Sequence, residues 1–169
     1  MSGIVSNATP LIYLANAGRL DLLRMIFGEI FIPEEVKIEV VDRGKRLGER
    51  DAYVIERAID EGWLKVLSTQ TMKTPIKLEP GEAAVLSLAK KLGLKEVLID
   101  EVSGRMAAKL LDLIPRGTVF VLLRALKKEK IGLDNFLEIL SQMIKEGFRL
   151  KEEVYVEAVR EARRMTESI

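Results

Sequence analysis

At 169 residues, 48% hydrophobic and 31% charged, the chain has the length of one domain and the balance of a soluble globular protein with an ionic surface. It contains no His and no Cys, which excludes Ser-His-Asp triads, thiol nucleophiles, imidazole or thiolate zinc sites and disulfide frameworks. The net charge of +1 exerts no global pull on nucleic acid, so any such binding has to come from a local basic patch.

No apolar run approaches the roughly 18–20 residues that span a bilayer. The opening Met1-Ser2-Gly3-Ile4-Val5 does not read as a signal peptide. A cytoplasmic protein without membrane contact is the expectation. Asn occurs only at positions 7, 16 and 135 and Gln only at 70 and 142, a composition that suggests thermophilic selection.

The chain opens with a short strand, Ile4 to Ser6. Thr9-Pro10 then supplies a capping residue and a proline at the first helical position, and Leu11, Ile12 and Leu14 carry that helix towards Gly18. A second helix, about Leu20 to Phe27, ends at Gly28. Glu29 to Ile32 reads as a strand stopped by Pro33. Val36, Val40 and Val41 give the next helix its apolar face and leave Glu39 elsewhere on its circumference. The polar segment around Gly44 and Gly48 reads as a mobile loop beside Glu39. Arg50 to Glu61 has helical spacing, and Trp63 to Leu67 alternates as a strand.

Ser68 to Leu78 lacks helical period and reads as a loop. Glu79-Pro80-Gly81 launches a helix through Leu92, with Gly93 as its stop. Glu96 to Ile99 is the fourth strand and Ser103 to Leu113 the helix after it. Pro115-Arg116-Gly117 breaks the chain before a helix from Val119 to Lys128. In the tail, Leu133, Phe136, Leu137, Leu140, Met143 and Ile144 follow helical spacing, as do Val154, Ala158 and Ala162. Alternating strands and helices predict an α/β fold with a parallel sheet and right-handed crossovers. The expected organisation is a core over 1–131 and a helical extension over 132–169 packed on the same domain.

With imidazole and thiol chemistry excluded, carboxylates remain. In an open parallel sheet, functional groups gather beyond the carboxyl ends of the strands. Asn7 and Asp100-Glu101 follow strands, Glu82 opens a helix, and Glu39 lies in the second turn of a helix that follows a strand. Carboxylates gathered there repel one another unless a cation such as Mg²⁺ or Mn²⁺ lies between them. Each residue also has a structural alternative. Glu82 suits a helix dipole, Glu39 a solvated surface, Asn7 a turn bond, and Asp100-Glu101 the cap of the next helix. Phosphate-loop, dinucleotide and phospho-receiver motifs are missing.

Taken together, these motifs resemble those of the PIN-domain family. The stretch Ile4-Val5-Ser6-Asn7-Ala8-Thr9 is similar to its opening motif, Ile32-Pro33-x-x-Val36-x-x-Glu39 to its second, Gly81-Glu82-Ala83 to its third and Leu98-Ile99-Asp100-Glu101 with Gly104-Arg105 to its fourth. The likeness extends from about residue 3 to 165 and points to a subgroup of predicted nucleic-acid-binding PIN proteins, related to toxin ribonucleases. It implies a three-layer α/β/α sandwich with a mostly parallel sheet and a Mg²⁺- or Mn²⁺-dependent ribonuclease. Asn7, Glu39, Glu82 and Asp100 take the four site positions, with Glu101 as an auxiliary metal ligand. Thr9 is a supporting hydroxyl and Arg105 a phosphate contact. RNA, an antitoxin protein and a second copy in a homodimer are the partners this resemblance implies. The family's first acid is typically Asp, where this chain has Asn7. An amide oxygen can ligate Mg²⁺ but brings no negative charge and cannot act as a base. The alternative is therefore a catalytically weak or inactive PIN-fold module that binds RNA or a protein. Arg43, Lys45 and Arg46 form the candidate nucleic-acid-binding cluster, with ordinary solvated surface as its alternative.

Overall fold

The computed structural model describes residues 2–167. Five strands form one parallel sheet in the order β3-β2-β1-β4-β5: β1 Ile4–Ser6, β2 Ile30–Pro33, β3 Leu64–Leu67, β4 Glu96–Leu98 and β5 Ile114–Arg116. Val5 pairs with Phe31 on one side and Val97 on the other. The central strand is therefore buried along its whole length, its polar Ser6 included.

Between β1 and β2 lie α1 (Ala8–Asn16) and α2 (Asp21–Phe27). After β2 the chain forms α3 (Glu34–Lys37), a π-helical segment (Ile38–Arg43), α4 (Gly44–Arg46) and α5 (Arg50–Asp60). The loop expected around Gly44 is thus largely helical. A Cβ on Gly44 would come 2.8 Å from that of Ala52, so the glycine serves close packing of α4 on α5.

The helix α6 (Pro80–Leu92) is buried at every position from Gly81 to Ala89. It touches β1, β2 and β4, and its small residues Ala83, Ala84 and Ala89 suit that interior place. After β4 come α7 (Val102–Leu110), β5 and α8 (Thr118–Lys127). The break expected at Pro115-Arg116-Gly117 contains a strand instead. Pro115 pairs with Val97 at the edge of the sheet, where its missing N–H costs no ladder bond.

The chain divides into two compact units, one ending at Thr118 and the other beginning at Val119. The second holds the rest of α8, α9 (Leu133–Lys145) and α10 (Glu152–Glu167), and within it α9 packs on α10. Phe136, Leu140 and Met143 are fully buried. Among the described residues no helix is long and apolar enough to cross a membrane.

Candidate functional site

The strand order places β1 between β2 and β4, so successive connections leave it in opposite directions. A crevice opens at such a switch point beyond the carboxyl ends of the two strands. Asn7 stands just past β1, its N–H bonded to the Leu98 carbonyl at 2.8 Å. Glu101 stands three residues past the end of β4. Each residue is the N-cap of the helix that follows, yet neither side chain caps it. They meet each other instead. Asn7 Nδ2 donates to Glu101 Oε2 at 3.0 Å, and Thr9 Oγ1 donates to Glu101 Oε1 at 2.6 Å. Charge-assisted bonds of this kind are about twice as strong as neutral ones. Turn bonding for Asn7 and capping for Glu101, the two structural alternatives, are not the roles their side chains take.

Glu82 and Glu39 stand near this pair. Glu82 is at the third position of α6 and reaches back, Oε1 accepting from the Glu79 N–H at 3.3 Å as in a capping box. Its other oxygen, Oε2, is buried and has no well-formed hydrogen bond among the described residues, although the Gly104 amide lies near enough to this carboxylate to favour its charge. A Cβ on Gly104 would lie 2.8 Å from that oxygen and would also strike Ile99, so only glycine lets α7 approach this closely. A carbon on Gly81 would lie 3.6 Å from Glu39 Oε1 and 3.7 Å from Asn7 Oδ1. Those two oxygens therefore converge over the first turn of α6.

Burial, the largest cause, raises the pKa values of Glu39 and Glu82 above the usual carboxylate range. The charges of Glu101 and Glu79 push both further up. Arg43, one turn from Glu39, holds that group partly back, as the Glu79 and Gly104 amides do for Glu82. Glu79 had not been singled out as a site residue. Its signal was the capping-box spacing to Glu82, which places two carboxylates at one helix start.

Asp100 has a different hydrogen-bond partner. Thr118 donates its N–H to Asp100 Oδ1 at 2.9 Å and its hydroxyl to Oδ2 at 2.6 Å. A Cβ on Gly117 would fall 2.9 Å from Oδ1, so glycine allows the approach. Burial raises the Asp100 pKa, while the Thr118 bonds and the Arg105 charge oppose that rise. Successive side chains in extended backbone point to opposite sides. Accordingly, Glu101 looks towards Asn7 while its neighbour looks towards Thr118, a partner the sequence did not suggest.

A family model described as PIN domain matches residues 3–164. The chain belongs to the PIN-domain family. A comparison with curated proteins found no match. PIN domains have a nuclease-type fold and generally use divalent metal ions, and the family suggests nucleic-acid binding. In this PIN domain the donors at the switch point are all oxygen, the kind a hard divalent cation takes. The buried Glu82 Oε2, without a well-formed hydrogen bond, and the mutual repulsion of the carboxylates fit such an ion. Among the described residues, however, no three acidic side chains stand close enough together to hold one as arranged.

The basic residues of this PIN domain are more dispersed. Arg105 Nη1 donates to the Ile99 carbonyl at 3.1 Å. Lys45 pairs with Glu56 at 2.9 Å and lies 5.5 Å over the Tyr53 ring. Arg43 and Arg46 are exposed, and Arg43 is electrostatically coupled to Glu39. Of the candidate phosphate contacts, Arg43 acts electrostatically on Glu39 and Arg105 on Asp100, while Thr9 is engaged with Glu101.

Proposed function

We propose that this chain is a metal-dependent ribonuclease whose site comprises Asn7, Glu39, Glu82 and Glu101, with Thr9 positioning Glu101. The observation that carries this reading is the buried Oε2 of Glu82, without a well-formed hydrogen bond, near three other oxygen-bearing groups at the switch point. Glu39, Glu82, Glu101 and the Asn7 oxygen would hold Mg²⁺ or Mn²⁺, which would supply Lewis-acid chemistry for phosphodiester hydrolysis. Thr9 holds Glu101 in one rotamer, Glu82 is fixed by its bond to the Glu79 amide, and Asn7 offers an uncharged oxygen towards Glu39. Asp100 contributes indirectly, by setting the backbone from which Glu101 projects. Arg43 is the candidate contact to the RNA backbone, and few aromatic side chains (5%) are available for base stacking. Backbone and shape recognition of single-stranded RNA is the corresponding substrate mode.

The test is cleavage of a generic single-stranded RNA in Mn²⁺, with EDTA and Glu39→Gln as controls. Cleavage lost in both controls supports the reading, and an inactive wild type overturns it. A second reading is a non-catalytic RNA-binding PIN module. The Asn7–Glu101 hydrogen bond favours it, because that bond occupies Glu101 without any cation. An inactive wild type that still binds RNA in EDTA would select it.

A further inference from the structure

Glu101 projects into a crevice it shares with other carboxylates, and both of its oxygens are nevertheless satisfied. Thr9 supplies one bond and the Asn7 amide the other. Asn7 is 5% exposed, so water has little access to replace it. Its side chain spans the site, with Nδ2 on Glu101 and Oδ1 turned towards the Glu39 side. A carboxylate at this position would be acceptor-only when ionised and would face Glu101 Oε2 with like charge. Only an amide gives both a donor for Glu101 and an oxygen for the other side.

We infer that Asn7 is a positioning residue that does for Glu101, in the cation-free protein, what a cation would otherwise do. Its N–H bond holds the Glu101 carboxylate in place and offsets its charge before any ion or RNA arrives. The inference rests on the proposed site only in identifying these residues as the place where a cation would bind. The hydrogen bond itself does not depend on that reading.

The experiment is thermal melting of the full chain in EDTA and in Mn²⁺, for wild type, Asn7→Asp and the double variant Asn7→Asp, Glu101→Gln. In EDTA, Asn7→Asp is expected to melt lower than wild type by about 3 °C or more, the shift expected for loss of one charge-assisted bond in a chain this size. Mn²⁺ should recover most of that loss. The double variant reverses the polarity of the pair: its new amide donates to the new carboxylate and keeps the Thr9 bond. It is expected to melt near wild type in EDTA.

Rescue by that swap is the readout a general packing defect would not give. Should Asn7→Asp fail to fold in EDTA, folding of the double variant there carries the same support. Coincident melting of Asn7→Asp and wild type in EDTA would overturn the inference, as would a double variant that melts below Asn7→Asp. If the swap rescues while Mn²⁺ shifts no variant, the Asn7 role stands and the metal-centre reading falls. If Mn²⁺ stabilises every variant but the EDTA melts coincide, the metal reading stands and the Asn7 role falls.

Discussion

Asp100 and Glu101 are adjacent acids at the end of one strand, yet their surroundings differ in kind. Around Asp100 the partners are fixed donors of one residue, the N–H and hydroxyl of Thr118, and a nearby guanidinium favours its charge. Around Glu101 the partners are the side chains of Asn7 and Thr9, and its charge presses on Glu39 and Glu82 as well as on Asp100 itself. The first environment satisfies a carboxylate from a helix start, and the second ties one carboxylate to side chains while its charge acts on its acidic neighbours. A carboxylate's role is set by which donors face it, and neighbours in sequence can have opposite roles.

This contrast can be broken at several points. The largest effect is expected from Gly104→Ala. The added methyl would overlap Ile99 Cδ1 and lie 2.8 Å from Glu82 Oε2, and overpacking this severe is expected at the top of the usual range, about 3 kcal/mol or more. The helix-propensity gain of roughly 1 kcal/mol offsets only part of that. Denaturant unfolding should show a net loss, and a neutral result would mean that α7 approaches Glu82 less closely than described.

Asp100→Ala comes next. It removes a capping carboxylate and strands the buried Thr118 N–H and hydroxyl, for an expected loss of about 1–2 kcal/mol in chemical denaturation. Glu101→Gln sharpens the comparison by doing the reverse. An amide there can still accept from Asn7 and donate to the Thr9 oxygen while repulsion on Glu39 and Glu82 is relieved, so stability should change by less than about 1 kcal/mol. Mn²⁺ binding by calorimetry should nonetheless weaken. The smallest effect belongs to Lys45→Ala. Its ion pair with Glu56 is exposed and screened by water, so denaturant unfolding should barely change, and less still in high salt.

Much of the fold was legible from residue patterns. The strand at Ile4, the Pro80 helix start, the Gly93 stop and the parallel architecture follow from capping, proline and periodicity signals that act within a few residues. The strand at Ile114–Arg116 was hidden because proline and a following glycine read as a break, and only its edge position makes Pro115 acceptable. Gly44 misled for a related reason: local rules assign it mobility, whereas Ala52, distant in sequence pattern, demands the missing side chain. At the site, the motif resemblance places Asp100 among the four site positions and Glu101 as an auxiliary, whereas the bonds from Asn7 and Thr9 fall on Glu101, because a one-residue change of direction exchanges their faces. Thr118 and Glu79 escaped notice because their importance lies in what they face.

Single-stranded RNA cleavage in Mn²⁺ by wild type, Glu101→Gln and Asp100→Asn, each checked for folding by its melting transition, tests the account most directly. The account predicts that Glu101→Gln loses cleavage while Asp100→Asn, whose amide can keep both Thr118 contacts, retains most of it. Cleavage surviving Glu101→Gln but lost in a folded Asp100→Asn would contradict it.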